Sequence, residues 1–259
     1  MAHDPVVELE RSDDGVAIIT LKNGKVNALS SAVLDELHDI VKSLEVDLPS
    51  AVIVTGGERI FAAGADISEF GGPDEATTIT ARFHRTLDAL AALPRMVIAE
   101  VAGYALGGGC ELAMACDYRV ASTKAVFGQP EILLGIIPGG GGTQRLARIV
   151  GASKAKEICL TGRQVASEEA KAIGLADEVV EHDELRARTL ALASSLASGA
   201  LIAQALTKDA IDAGLNGTLD EGLAIERDRF AEVFRSEDSQ IGVKSFLEHG
   251  PGKAEFTGR

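Results

Sequence analysis

Basic residues are scarce in this chain. It has 25 Lys and Arg against 39 Asp and Glu, a formal net charge of −14 at pH 7. Such a surface disfavours nucleic acid and anionic membrane, because both are polyanions that bind through clustered Lys and Arg. Cysteine is scarcer still. Cys110, Cys116 and Cys159 are odd in number and form no C-x-x-C pair, so they read as reduced packing thiols rather than a disulfide framework. The five histidines are scattered, with no His-x-x-x-His pair and no metal-ligand spacing to the cysteines, and no metal site is expected. No uninterrupted apolar run reaches the ~18–20 residues of a membrane span. Met1–Val7 lacks the basic region and following apolar stretch of a secretory signal. The expectation is a cytoplasmic protein with no nucleic-acid, membrane or metal partner. Linkers rich in Pro or Ser and low-complexity tracts are also missing.

What the chain does have is length and apolar content: 259 residues, 46% hydrophobic, enough for a substantial core. Val16–Leu21 is a short β-rich run closed by Asn23-Gly24. Ser30 and Ser31 are good N-caps for an amphipathic helix to about Glu45, whose Val33, Leu34, Leu37, Ile40, Val41 and Leu44 follow the helical period. Ala51–Gly56 is continuously apolar, as a buried parallel strand should be. A helix is expected from about Glu75 to Ala92 and a strand from Met96 to Val101. Alternation of strand and helix to about residue 180 argues for an α/β core. From about Asp183 helical sequence dominates, broken at Gly199, Gly214–Gly217 and Gly250-Pro251. Phe230, Phe234 and Phe246 lie there, on helices expected to serve packing or oligomerisation.

Three segments carry the chemistry. They are Phe61-Ala62-Ala63-Gly64-Ala65-Asp66-Ile67, the run from Gly103 through Gly107-Gly108-Gly109-Cys110-Glu111 to Asp117, and Phe127-Gly128-Gln129-Pro130-Glu131 through Gly135. The triple glycine precedes a helical stretch, where the first N–H groups lack internal partners and sit at the positive end of the dipole. Glycine there also lets a ligand approach the backbone. A tight turn before a packed helix would explain the same glycines. Likewise Glu111 could be a capping carboxylate in the first turn, and Pro130-Glu131 an ordinary helix start. Gly139–Gly142 lacks the Lys-Ser/Thr of a P-loop and reads as a tight turn entering a helix over Thr143–Val150. No Gly-x-Ser-x-Gly is present, so a hydrolase triad is unsupported.

Taken in order and spacing, these segments resemble the crotonase superfamily, specifically enoyl-CoA hydratase. Asn27-Ala28-Leu29, Gly139 to Leu146, Thr161-Gly162 and Ala170–Leu175 extend the resemblance over most of the chain; it is weakest over residues 68–95 and the tail. It implies a spiral core of repeated β-β-α units (residues 1–195) followed by a C-terminal helical region (residues 196–259) that builds trimers, commonly paired into hexamers. It also implies hydration of trans-2-enoyl-CoA, of short to medium chain length, to 3-hydroxyacyl-CoA, with no cofactor beyond the coenzyme A of the substrate. Glu111 would be general base and Glu131 general acid, with Ala65 and Gly108 N–H groups as the oxyanion hole. Substrate contacts would come from Lys25, Asn27, Ala28, Ala63, Asp66, Ile67 and Leu106, and from Phe246 across a subunit boundary. Asp66 also reads as a loop-ordering residue and Gln129 as support for Glu131. Leu106, Ile132 and Leu134 would form an apolar lining that raises a glutamate pKa. His249 and Lys253 flank a Gly250-Pro251-Gly252 insertion, a departure that puts the family's cross-subunit phosphate contact in question. The competing functions are a Δ3-Δ2-enoyl-CoA isomerase, for which one carboxylate suffices, and a non-catalytic binding member of the superfamily.

Overall fold

In the computed structural model, residues 5–259 are described; Met1–Asp4, part of the stretch read for a signal sequence, lie outside them. One sheet has six strands in the order β1 (Val7–Arg11), β2 (Ala17–Leu21), β3 (Val52–Thr55), β5 (Val97–Val101), β7 (Tyr118–Ser122) and β10 (Glu178–Val180). All its pairings are parallel except β1 with β2. The second sheet is small: β4 (Ile60–Ala62), β6 (Tyr104–Leu106), β8 (Val126–Gly128) and β9 (Gln164–Ala166), with only the last pairing antiparallel. Every residue of β3 and β5 is buried, which is why these strands read as unbroken apolar runs. In β2 burial alternates, as one half-covered face requires.

Helices α1 (Ser31–Val46) and α2 (Pro73–Ala91) pack against each other, and α3 (Gly108–Ala115) and α4 (Gly142–Val150) follow the next two strand pairs. The repeat is then plain. β3-β4-α2, β5-β6-α3 and β7-β8-α4 each give a first strand to the large sheet and a second to the small one. This is the β-β-α spiral the resemblance implied, and it stacks the turns leaving β4, β6 and β8 side by side. α1 starts where expected, with Ser30 Oγ accepting from the Val33 amide. The short α5 (Ala152–Thr161) and α6 (Ser167–Ala172) complete the core. α7 (Leu185–Ala197) covers the far face of the large sheet, where Leu185 and Ala193 join Ile53, Ile98 and Val120.

The boundary expected at residue 195 falls in the last turn of α7. The packing partners change just after it, at α8 (Leu201–Gly214), α9 (Leu219–Val233) and α10 (Glu237–His249). α8 and α9 pack on each other, with Gly214 against Gly222. Lys208 of α8 ties this unit to the core through Asp117 at 2.7 Å and the Arg95 carbonyl at 3.1 Å. The chain end folds back onto the start of α10, where Asp238 accepts from Thr257 N–H (2.7 Å) and Gly258 N–H (2.9 Å). Phe230 and Phe234 stack edge-on with centroids 5.3 Å apart, yet both are exposed, as is Phe246.

Candidate active site

The site is built where those stacked turns meet. Gly107 leaves β6 with φ +52, a left-handed conformation that glycine adopts without strain. A Cβ there would stand 3.0 Å from Glu131 Oε1, so the same glycine also admits that carboxylate. Two residues on, a Cβ on Gly109 would meet the Ala62 carbonyl oxygen at 2.0 Å. The start of α3 therefore lies directly on the end of β4. That contact brings the Ala63–Ala65 segment beside Gly108, whose Cβ position is 3.3 Å from the Ala65 nitrogen.

Both backbone amides expected to face a reacting oxygen are free of protein acceptors among the described residues. Gly108 is the first residue of α3, and its N–H has no intrahelical partner. For Ala65 the reason is the pairing with Leu29. Leu29 donates to the Gly64 carbonyl at 2.8 Å and accepts from the Asp66 amide at 3.3 Å. A parallel bridge uses the flanking residues in this way, which leaves the N–H of Ala65 itself directed away from Leu29.

Glu111 lies in the first turn of α3 and is buried. Its Oε1 accepts from Gly140 N–H at 2.8 Å and Gly142 N–H at 2.7 Å. Burial raises its pKa, while those two amides act in the opposite sense. The Gly139–Gly142 turn does enter α4, one residue earlier than expected. It has a second task the sequence did not show, holding one catalytic-candidate carboxylate. Gly140 is needed there, since a Cβ would fall 2.5 Å from Glu111 Oε2.

Glu131 is the second residue of a 3₁₀ helix, Pro130–Leu134, that leaves β8. Burial first, and the nearby charge of Glu111 in addition, push its pKa up to about 7. The buried Gln129 lies against Glu131, and an amide orientation with its nitrogen toward that carboxyl puts it 3.0 and 3.2 Å from the two carboxylate oxygens. The expectation that Ile132 and Leu134 help to bury the pair is not met within the chain: both are exposed, and Ile132 leans instead toward Gly162. Two differently held carboxyl groups thus flank two free amides, with Glu131 against Gly107 and Glu111 against Gly140.

The remaining expected residues divide into two kinds. Asp66 accepts from Ser68 N–H (3.0 Å) and Oγ–H (2.7 Å), so it caps the 3₁₀ turn Ile67–Glu69, as its loop-ordering role requires. Asn27 is turned inward. Its side chain donates to the carbonyls of Gly56, Ile60 and Phe61 and accepts from the Asn23 amide. It is therefore an internal staple, at φ +50, that fixes the path of Ala28 and Leu29, and its amide is not turned outward to a ligand. Lys25 is exposed between β2 and α1 and Ile67 at the start of the 3₁₀ turn, Ala63 lies between Ala62 and the free amide of Ala65, and Leu106 approaches Gly128. Lys22 is paired with Glu8. Phe246 is far along the chain on α10 and exposed.

The family model described as enoyl-CoA hydratase/isomerase matches residues 11–259. A probable enoyl-CoA hydratase of Mycobacterium tuberculosis is 43% identical over 242 residues, covering 93% of this chain and 94% of its own. A short-chain-enoyl-CoA hydratase of Clostridium acetobutylicum is 44% identical over 241 residues, covering 90% and 91%. Among solved structures, an enoyl-CoA hydratase subunit from Geobacillus kaustophilus superposes with a TM-score of 0.92 at 37% identity, over 98% of both chains. The Pseudomonas aeruginosa protein DspI does so at 0.92 and 32% identity, over 99% of this chain and 98% of that one.

Proposed function

The chain belongs to the enoyl-CoA hydratase/isomerase family, and from that premise we propose that it adds water to trans-2-enoyl-CoA thioesters to give 3-hydroxyacyl-CoA. The observation that carries this reading is the unlike environment of the two carboxyl groups beside two unpaired amides. Attack at C3 moves electron density onto the thioester oxygen. Donation from Ala65 and Gly108 N–H to that oxygen stabilises the enolate, and one such preorganised donor contributes about 2.7–4 kcal/mol. No metal or redox cofactor is required, since the amides supply the polarisation.

Glu111, whose two N–H donors favour the carboxylate against the burial that raises its pKa, is assigned the role of base. It accepts a proton from water as the hydroxyl bonds to C3. Glu131, with a pKa near 7, is partly protonated at neutral pH and delivers its proton to C2. Both carboxyl groups act on one face of the substrate, which makes the addition syn. The proton left on Glu111 returns to Glu131 or to solvent before the next turnover. The two glutamates titrate as a pair, so their roles describe the dominant protonation state rather than isolated values. Lys25, beside the Asn27–Leu29 loop, is the basic residue we assign to the coenzyme A end of the substrate. The exposed Phe230, Phe234 and Phe246 on the tail helices support assembly into trimers or hexamers.

Product analysis tests the reading. With crotonyl-CoA, the conjugated thioester absorbance should fall as 3-hydroxybutyryl-CoA accumulates. A 3-enoyl-CoA substrate converted only to its 2-enoyl isomer, with no hydrated product from either compound, would instead establish the isomerase.

A further inference from the structure

Beneath α7, on the far face of the large sheet, one buried carboxylate is only half satisfied. Ile98 and Ala102, two residues to either side of Glu100, belong to the apolar cluster under that helix. Strand alternation therefore puts the Glu100 side chain on the same face, where it is 4% exposed. Thr55, its neighbour in the pairing of β3 with β5, donates to Oε1 at 2.9 Å. The Thr55 hydroxyl also accepts from the Gly57 amide at 3.1 Å. Its one hydrogen is committed, and it has nothing to offer Oε2. That second oxygen has no hydrogen-bond partner among the described residues. The cation paired with it, Arg186 in the first turn of α7, stands at 3.5 Å, too far for a well-formed hydrogen bond.

Glu100 and Arg186 line a cavity of about 440 Å³ together with Glu58, His182 and Asp183, a volume within the range of small-molecule sites. It lies beyond the C-terminal ends of β3 and β5, the crevice in which open parallel sheets bind ligands. His182 repeats the pattern of Glu100, since its Nδ1 is buried with no partner among the described residues. In a neutral imidazole whose other nitrogen carries the hydrogen, that atom is an acceptor. Two acceptors on one cavity thus lack a donor. Charge points the same way: Glu58, Glu100 and Asp183 set three carboxylates against the guanidinium of Arg186. The start of α7 does not reverse this balance, because Asp183 and Glu184 already stand at that positive helix end. Ala102 and Leu185 give the wall an apolar part. None of these residues belongs to the site that holds Glu111 and Glu131.

We propose that this cavity is a second ligand site, for a small aliphatic amine in its ammonium form, which donates to Glu100 Oε2 and His182 Nδ1 while its carbon chain lies on Ala102 and Leu185. Arg186 is the gate. Its side chain is 46% exposed, so it can swing into solvent and leave its place beside Glu100 to the ligand. A buried carboxylate short of donors is a cost to the fold. A primary ammonium, with three donors on a compact charge, relieves that cost; a quaternary ammonium, with none, does not.

The test is calorimetric titration of the full chain at pH 8 with n-butylammonium, using tetramethylammonium and butyrate at equal ionic strength as controls. Butylammonium should bind once per chain with a Kd on the order of 1 mM, and neither control should saturate. Glu100→Gln should weaken binding by about tenfold or more, the loss of a hydrogen bond to a charged group. Arg186→Ala should bind about two- to fivefold tighter, because the competing ion pair is gone. His182→Ala, at the partly exposed end of the cavity, should also bind more weakly and decides the matter where Glu100→Gln does not fold. Butylammonium that binds no better than tetramethylammonium would overturn the proposal, as would wild-type affinity in Glu100→Gln or His182→Ala. Loss of binding in Arg186→Ala, or preference for butyrate, would do the same by marking an anion site. A crystal soaked with butylammonium that shows an ordered water only at Glu100 Oε2 would also overturn it.

Discussion

Replacing either glutamate by glutamine should lower kcat for crotonyl-CoA hydration by about 10²–10⁴-fold, the range for losing one positioned acid or base. Glutamine matches the size and polarity of the side chain and removes only its capacity to exchange a proton. Loss in Glu111→Gln would report the base and loss in Glu131→Gln the acid. The double variant should fall little below the worse single one, because groups that act as a unit are strongly non-additive. Near-wild-type turnover by either single variant would end the two-carboxylate mechanism.

The same Glu131→Gln protein should gain stability above neutral pH. In the folded state the Glu131 pKa is raised from 4.5 to about 7, so the folded protein binds that proton more tightly than the unfolded chain does. The resulting stabilisation is fully present below about pH 4.5 and is lost as pH rises through about 7. Above that, the ionised and partly buried carboxylate is a cost. Glutamine should remove it, raising unfolding stability by about 1–2 kcal/mol at pH 8 after allowance for partial exposure, with no gain at pH 4. Chemical denaturation at the two pH values measures the difference. A gain in stability paired with a loss of activity is what a strained catalytic group produces.

A second large effect is expected from Gly109→Ala. The added methyl would stand 2.0 Å from the Ala62 carbonyl oxygen and 2.7 Å from the Ala62 carbonyl carbon. Those atoms belong to β4, which is pinned by its pairing with β6, so neither side can yield as a flexible side chain could. Overpacking of this kind typically costs about 1–3 kcal/mol, occasionally more, and a backbone clash belongs at the upper end. Set against a total stability of about 5–15 kcal/mol, this should lower the unfolding midpoint sharply or leave the protein insoluble. Gly108→Ala makes a useful contrast. Its methyl meets the Phe83 ring at 2.9 Å and the Ala65 nitrogen at 3.3 Å, so it should obstruct the space before the two amides and cost activity more than folding. A Gly109→Ala protein that unfolds at the wild-type midpoint would show that α3 does not rest on β4 as described.

Which parts of this could be read from residues alone follows from physical scale. α1, α2, β3 and β5 are long or continuous enough for their periodicity to speak, and Ser30 supplied a cap with its own side chain. The strands of the small sheet have three residues each, too few for any period. β1 alternates Val7, Leu9 with Glu8, Glu10 but is half exposed, and its charges hid it. Glu111 and Glu131 were legible through the resemblance, because each sits in a motif of side chains and glycines. Their supports were less so. The amides of Gly140 and Gly142 look like those of any other residue in a sequence, and only the turn of the chain aims them at Glu111. The inward bonds of Asn27 were equally hidden, since the three carbonyls that receive its amide come from Gly56, Ile60 and Phe61, about 30 residues further on. Asp238 likewise gave no sign of its grip on Thr257 and Gly258, since two of its partners are backbone amides.

The central claim is spatial, and a structure of the protein bound to a 3-ketoacyl-CoA analogue tests it most directly. The thioester oxygen should lie roughly 2.7–3.1 Å from both the Ala65 and Gly108 nitrogens, with C2 and C3 between the carboxyl groups of Glu111 and Glu131. A thioester oxygen bound elsewhere, or Glu111 and Glu131 on opposite sides of the acyl plane, would contradict the account.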